Sequence, residues 1–465
     1  MRDNILLQTD SYKQTHWRMY PPGTTEIESY MEARQGGEYR HVVFFGLQYL
    51  LKRYLAGVRV TAEQIQQGDE FCQAHFGQDV WPRAGWQHIL DHHDGRLPVE
   101  IRAVREGLRV PTGQVLLTIR NTDPACYWLT NHLETMLVQV WYPTTIASLD
   151  RIQHDILHKA AEQSGDPAGV PFQLHDFGYR GSTSEESAAL GAAAHLLHFR
   201  GTDTLAGCRL LQEYYGAGMP GFSVPAAEHS TITAWGPEGE ADAFAHILEA
   251  YPSGIVSVVS DSWDIRRACR ELWGAALRDQ VLERSGTVVV RPDSGDPVLT
   301  VLECLNLLGE AFGAPRNAKG YRLLPDHIRL IQGDGITRES LPLIVRALLE
   351  AGWSTDNVVF GSGGGLLQEC TRDTLRIAMK CCHAVVNGEE RDVYKQPVTD
   401  PHKHSRGGRL ALVQDASTGT LHTVRAEQLR DSDHNLLEPV FRDGEILRDM
   451  TWDEVLAQVA EFRGP

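Results

Sequence analysis

Val288-Val289-Val290-Arg291-Pro292-Asp293-Ser294-Gly295-Asp296-Pro297 decides how the rest of the chain is read. Three consecutive β-branched residues predict a buried strand, because such side chains favour an extended, covered backbone. The strand runs straight into an arginine, two carboxylates and a turn. A buried strand that ends in charge is how an α/β enzyme presents polar groups at the mouth of its sheet. The arginine suits a phosphate or diphosphate, and the aspartates suit sugar hydroxyls or Mg²⁺. A strand end closed by a surface ion pair would look the same, so recurrence has to decide.

The pattern recurs. Short apolar runs end in polar clusters at His175-Asp176-Phe177, Ser257-Val258-Val259-Ser260-Asp261, Ile331-Gln332-Gly333-Asp334 and Val359-Phe360-Gly361-Ser362. Helical patterns over 240–251, 263–283, 298–312, 338–351 and 366–374 alternate with them. This spacing implies βαβ units and a parallel sheet. So many units favour an irregular (β/α)-barrel over an open sheet, with the polar clusters collected at the carboxyl ends of its strands. The predicted fold class is α/β, with a barrel over 146–389. Residues 1–145 form the amino-terminal part of a mixed α+β domain, and 390–465 pack back on it. Within the first part, 99–120 reads as strands with turns at Glu106-Gly107 and Pro111-Thr112-Gly113. Helices follow over 127–140 and 147–163, around a break at Tyr142-Pro143.

A chain of 465 residues can bury a large core, and 42% hydrophobic with 23% charged residues is ordinary for a soluble enzyme. The net charge of −17 argues against a nucleic-acid partner, which normally needs a basic face. Anionic small ligands remain possible, because local cations can reverse the field inside one cleft. No apolar run approaches a membrane span, and the amino terminus lacks the regions of a signal peptide. The eight cysteines include no C-x-x-C pair, which predicts a reducing, cytoplasmic setting. The twenty histidines include His92-His93 and the trio His195, His198 and His402. None has a metal-ligand companion in the sequence, so no zinc site is expected.

Asn357-Val358-Val359-Phe360-Gly361-Ser362-Gly363-Gly364-Gly365-Leu366-Leu367 reads as strand, glycine turn and helix start. Missing side chains let backbone N–H groups close on a phosphate, and a helix start favours negative charge. The P-loop pattern is absent, so a nucleoside-triphosphatase loop is not indicated. In Gln332-Gly333-Asp334-Gly335 a carboxylate framed by glycines can reach ribose hydroxyls, or simply make a turn. Arg372, Lys380, Lys395 and Lys403 offer cations that gain meaning only jointly, for a polyphosphate. His229 stands alone in Ser223–Thr231, and a lone histidine is more often structural than catalytic. His175-Asp176-Phe177-Gly178-Tyr179-Arg180-Gly181 and Gly201-Thr202-Asp203 add an aromatic face with an acceptor, as a flat heterocycle bearing an amide requires. The inventory fits an enzyme handling a phosphorylated ribose and a planar base.

At this point the chain resembles the nicotinamide phosphoribosyltransferase family over nearly its whole length. The resemblance is carried by Thr9–His16, His175–Gly181, Gly201–Asp203, Ser223–Trp235, Ser257–Ser262, Arg291–Gly295, Gln332–Gly335 and Phe360–Gln368, in order. It implies a type II phosphoribosyltransferase-like barrel, a mixed domain built from both chain ends, and a homodimer with shared active sites. The implied reaction joins nicotinamide to phosphoribosyl diphosphate, giving nicotinamide mononucleotide and diphosphate in NAD salvage. By the motif matches, Phe177 stacks one face of nicotinamide, and Tyr12 of the partner subunit covers the other. Asp203 accepts from the carboxamide, Arg180 and His229 lie near diphosphate, and Arg291 contacts base and phosphate. Asp293 holds ribose hydroxyls, and Asp261 with Asp293 positions Mg²⁺. Ser257 joins the substrate-binding set. Gly333, Asp334, Gly363 and Gly364 hold ribose and 5′-phosphate, and Arg372, Lys380, Lys395 and Lys403 bind phosphates. The resemblance also implies ATP as a facultative co-substrate, with a transient phosphate on His229.

Two departures stand out. A short Gln35-Gly36-Gly37 link follows Arg34, where relatives often carry a longer lysine-rich loop. The stretch His402-Lys403-His404-Ser405-Arg406 is less basic than usual.

A phosphoribosyltransferase for nicotinic acid, or a non-catalytic binding protein on the same fold, would share most of these features. Asp203 separates the first. A carboxylate about 4 Å from the acid's own would cost on the order of 4 kcal/mol at an effective dielectric near 20, about a thousandfold.

Overall fold

The computed structural model describes residues 4–399, 404–430 and 432–461. His402 and Lys403 lie outside the described residues. The chain divides into two compact units: Leu149–Gln212 with Gly218–Glu369, and Met1–Ser148 with Glu213–Ala217 and Cys370–Pro465.

The first unit is built on a six-stranded sheet. Its order is Gly201–Thr202, Leu174–Asp176, Val358–Ser362, Ile328–Gln332, Ser285–Arg291 and Ser253–Val259. Every pairing is parallel, as the βαβ rhythm predicts. Val288 and Val290 are fully buried, which accounts for the unbroken valine run. Burying each such side chain stabilises by roughly 1.5–3 kcal/mol.

One segment ties both edges of this sheet. Thr202 N–H donates to Phe222 O and Phe222 N–H to Arg200 O at one edge. At the other, Ser257 N–H donates to Pro225 O, and Ala227 N–H to Ser257 O. The chain at 222–227 thus bridges the two edge strands as an irregular stave.

Helices Glu240–Ala250, Pro297–Phe312 and Ser340–Glu350 fall where the periodicity predicts. Asp296 is not a ligand carboxylate but a helix cap, accepting from Val298 and Leu299 N–H ahead of Pro297 at the first turn. The helix expected over 263–283 is broken into Ile265–Arg267, a wide-turned Ala268–Ala276 and Arg278–Glu283. Its middle part carries Trp273, which stacks on Phe244 at 4.5 Å and donates to Ser260 Oγ at 3.0 Å. The helix expected over 366–374 is only Gly364–Leu367. Residues 371–374 form a turn instead, in which Thr371 Oγ1 takes the Asp373 N–H.

The second unit holds a seven-stranded sheet ordered Glu389–Asp392, Ile377–Val386, Thr24–Ala33, Val115–Asn121, Val99–Ala103, Glu438–Arg442 and Glu445–Ile446. All its pairings are antiparallel, and both chain ends contribute. The sequence boundary at 389 falls too late. Ile377–Val386 pairs along Thr24–Ala33, so the chain has joined this unit by Cys370. The expected break falls at Gln139-Val140 and not at Tyr142-Pro143, because Pro143 sits in the first turn of Trp141–Ser164, where its missing N–H costs nothing.

Candidate active site

The carboxyl ends of the parallel strands bring most of the expected residues together. Phe177 follows Leu174–Asp176, with its N–H donating to Ser362 O. A Cβ on Gly361 would lie 2.0 Å from Phe177 Cε2. The glycine is therefore required for the phenyl ring to sit across the next strand's end. Gly333 is similar: a Cβ there would meet Asp293 Oδ1 at 3.0 Å, Arg291 Cδ at 3.3 Å and Phe177 Cε2 at 3.6 Å. Phenyl ring, guanidinium stem and carboxylate thus converge over a bare backbone.

Asp203 is set by two neighbours that the sequence reading did not single out as its partners. His175 Nε2 lies 3.0 Å from Asp203 Oδ1, and the Ser223 hydroxyl donates to the same oxygen. Burial raises the Asp203 pKa, but these hydrogen bonds and the charges of His175 and Arg291 outweigh it, and the net shift is downward. The group is a held carboxylate whose Oδ2 takes neither bond. Asp176 lies beneath, fully buried, accepting from Gly178 N–H at 2.7 Å and Thr202 Oγ1 at 2.8 Å. It locks two strand ends in register.

His229 opens a short helix, His229–Thr233, and faces two carboxylates. Its Nε2 is 3.1 Å from Asp261 Oδ1, and its Nδ1 is 3.9 Å from Asp293 Oδ2. Asp261 is 4% exposed and His229 46%. Asp261 Oδ2 accepts from Asp293 N–H at 2.9 Å and from Ser294 Oγ at 2.5 Å. Both Asp261 oxygens are therefore engaged in building the loop. Asp293 differs: Arg291 Nε stands 4.0 Å from Oδ1, and His229 Nδ1 lies beyond hydrogen-bond length of Oδ2. Its oxygens fit a hard cation or sugar hydroxyls, with Asp261 beside it as the second carboxylate. Arg291 Nε and Gln332 Oε1 are buried without hydrogen-bond partners among the described residues. Buried polar atoms of this kind are costly unless a ligand completes them.

Around this centre Arg180 is exposed in the turn Tyr179–Gly181, and Asp334 is exposed beyond Gly333. A Cβ on Gly364 would meet nothing within 4 Å, and one on Gly363 would touch Phe177 O at 3.4 Å. Ser257 is buried, and its backbone holds the 225–227 stave.

The other expected residues belong to the second unit. Tyr12 is 58% exposed, with its ring edge-on to His16 at 4.8 Å. Burial lowers the Lys380 pKa; Glu134 opposes the shift, while Arg34, Lys395 and Arg372 add to it. Lys380 therefore feels the charges of Lys395 and Arg372. Lys395 O accepts from Ser405 N–H at 3.1 Å and Lys395 N–H donates to Ser405 Oγ at 3.0 Å.

Residues 172–445 match the model of the nicotinate phosphoribosyltransferase (NAPRTase) family, and residues 4–101 match the nicotinamide phosphoribosyltransferase N-terminal domain. The chain is similar to a nicotinamide phosphoribosyltransferase of Xanthomonas campestris pv. campestris, at 47% identity across 99% of both chains. Its similarity to one of Acinetobacter baylyi is 33%, over 99% of this chain and 98% of that one. Two solved structures share the fold at 16% identity. Nicotinate-nucleotide pyrophosphorylase from Pyrococcus furiosus gives a TM-score of 0.63, covering 99% of this chain and 96% of that one. Human nicotinic acid phosphoribosyltransferase gives 0.59, covering 98% and 93%.

Proposed function

The chain belongs to the nicotinamide phosphoribosyltransferase family, and we propose from that membership and from the strand-end cluster how it works. It transfers the phosphoribosyl group of 5-phosphoribosyl 1-diphosphate to nicotinamide, giving nicotinamide mononucleotide and diphosphate for NAD salvage. The observation that carries the reading is Asp203. One oxygen is fixed by His175 and Ser223, which leaves the other to accept the carboxamide N–H while the pyridine ring lies on Phe177.

Ribose C1 loses diphosphate as the ring nitrogen arrives, through a transition state with oxocarbenium character. Asp203 and Phe177 hold the ring so that its nitrogen, and not its amide, faces C1. Arg291 completes its buried Nε on base and phosphate. Asp293 takes the ribose hydroxyls, kept in place by its own N–H on Asp261. Gly333, Asp334, Gly363 and Gly364 receive ribose and 5′-phosphate. We assign Arg180, Arg372, Lys380 and Lys395 to phosphate groups, where cations stabilise the charge growing on the leaving diphosphate. Asp293 and Asp261 would hold Mg²⁺, which when bound neutralises part of that charge. No protein nucleophile is needed for the transfer itself.

ATP enters as a facultative co-substrate. With Nε2–H donated to Asp261, His229 presents Nδ1 as a lone pair that can take the terminal phosphoryl group, releasing ADP. We propose a homodimer in which Tyr12 of the partner subunit covers the second face of the nicotinamide ring. Among the described residues no helix is long and apolar enough to cross a membrane, and the eight cysteines are free.

The test is product analysis with phosphoribosyl diphosphate, Mg²⁺ and nicotinamide, with and without ATP. Mononucleotide and diphosphate in equal amounts are expected. Binding of both substrates without diphosphate release would leave only a binding protein on this fold.

A further inference from the structure

A further histidine–carboxylate cluster lies in the sheet unit. His88 is on helix Arg83–His92, and His93 is the residue that caps its end. Asp123 and Cys126 come from the turn around Pro124–Cys126, for which Asp123 is the N-cap. In a 3₁₀ turn residues three apart eclipse, so carboxylate and thiol are presented on one side. His88 Nε2 lies 2.8 Å from Asp123 Oδ2, and His93 Nε2 lies 2.6 Å from that same oxygen. The donor atoms of His88, Asp123 and Cys126 all fall within 4.8 Å of one another.

We propose that His88, His93, Asp123 and Cys126 form a zinc site that staples the helix Arg83–His92 to the turn before Leu129–Val138. The donor set is two imidazoles, one carboxylate and one thiolate. Against Zn²⁺ it sums to zero charge, which suits a half-buried place in an acidic protein. Nitrogen and sulfur donors with one oxygen select zinc over Mg²⁺. Zinc bonds of about 2.0–2.3 Å place donors roughly 3.3–3.7 Å apart, so His88, Asp123 and Cys126 close on one ion by small side-chain movements, and His93, which meets Asp123 Oδ2 alone, is the fourth donor and has further to move. Asp123 Oδ2 already faces both imidazoles. Its Oδ1 is fixed by the Ala125 N–H at 2.8 Å, an outer bond that orients the carboxylate. Access is open, since the His88 side chain is 30% exposed.

Sequence adjacency was misleading here. It offered His92-His93, but only His93 joins the cluster, and the His92 ring lies tilted beside His88 at 4.5 Å. The companion carboxylate lies 30 residues further along the chain.

The experiment uses the full chain without a histidine tag, stripped with a chelator and titrated with Co²⁺ as the zinc probe. One equivalent should bind and give a thiolate-to-cobalt charge-transfer band in the near ultraviolet. Zinc should compete for it one to one. Cys126→Ser should abolish the band, and His88→Gln, at a more exposed position, should weaken Co²⁺ binding roughly tenfold or more. Asp261→Asn should leave the band intact, which separates this site from the cation proposed for the reaction. The proposal is overturned by a wild-type protein that gives no band, or by a band that survives Cys126→Ser. Should Cys126→Ser fail to fold, unchanged Co²⁺ affinity in His88→Gln overturns it equally.

Discussion

Two histidine–aspartate pairs in the barrel unit use the same chemistry for opposite ends. His195 Nδ1 and Asp150 Oδ2 stand 2.6 Å apart at 0% and 1% exposure. His229 Nε2 and Asp261 Oδ1 stand 3.1 Å apart, with the histidine 46% exposed. In the first pair both imidazole nitrogens are spent, since Nε2 also meets Gly201 O at 3.2 Å. No atom remains for a substrate. In the second, Asp261 fixes one nitrogen, and the other faces Asp293 Oδ2 at 3.9 Å, beyond hydrogen-bond length. A histidine held on one side and open on the other is chemistry in waiting; one held on both sides is a rivet. Exposure and leftover valence, not residue type, tell them apart.

The sharpest way to break this contrast is to remove one partner from each pair. Asp150→Asn strands a buried imidazole and should lower the unfolding free energy by about 3–5 kcal/mol in guanidinium titration. A loss below about 1 kcal/mol would mean the buried pair is not structural.

Next in size is Arg291→Gln, which removes a donor without opening the core. It should cost roughly 3–4 kcal/mol of barrier, a hundredfold to thousandfold in kcat/KM, with the thermal midpoint close to wild type. Equal falls in stability and activity would place Arg291 among the rivets.

His229→Gln should end the gain in turnover from ATP while changing unfolding free energy by no more than about 0.5 kcal/mol, as for an exposed side chain. ATP stimulation that persists would remove the phosphoryl role from this histidine.

The smallest effect concerns pH. The Asp203 pKa is lowered, so its carboxylate is charged throughout the neutral range. Its stabilising contribution is present above the unfolded value of 3.8 and is lost only as pH falls through the lower folded value. Preference for the amide should therefore stay flat between about pH 5.5 and pH 8. A slope in that window, followed by steady-state assays, would mean another group sets the selectivity.

The barrel was legible because its strands announce themselves locally. Apolar runs that end in Arg291, Asp261 or Asp334 need no long-range information, and neither does the glycine run Gly363–Gly365. The pairings were not legible. Asp203 meets His175 across 28 residues and Ser223 across 20, and His229 meets Asp261 across 32. Such contacts are made by strand order, which no local window carries. Gly361 was read as part of a phosphate turn, yet the ring of Phe177 is what forbids a side chain there. Asp296 was read as a ligand although Asp-Pro before an apolar run is a helix start, a signal present in the sequence and passed over. Expectations for ATP and the shared dimer site rested on resemblance, and that for Mg²⁺ on the strand-end aspartates as well; Asp293, His229 and Tyr12 are the residues on which they can now be tried.

The central claim is that Asp203, held by His175 and Ser223, selects the amide. Measuring kcat/KM for nicotinamide and nicotinic acid in parallel, in wild type and Asp203→Asn, tests it most directly. The account predicts a preference for the amide of about a thousandfold in wild type and a much smaller one in the variant. Comparable efficiency with nicotinic acid in wild type, or a preference untouched by the substitution, would contradict it.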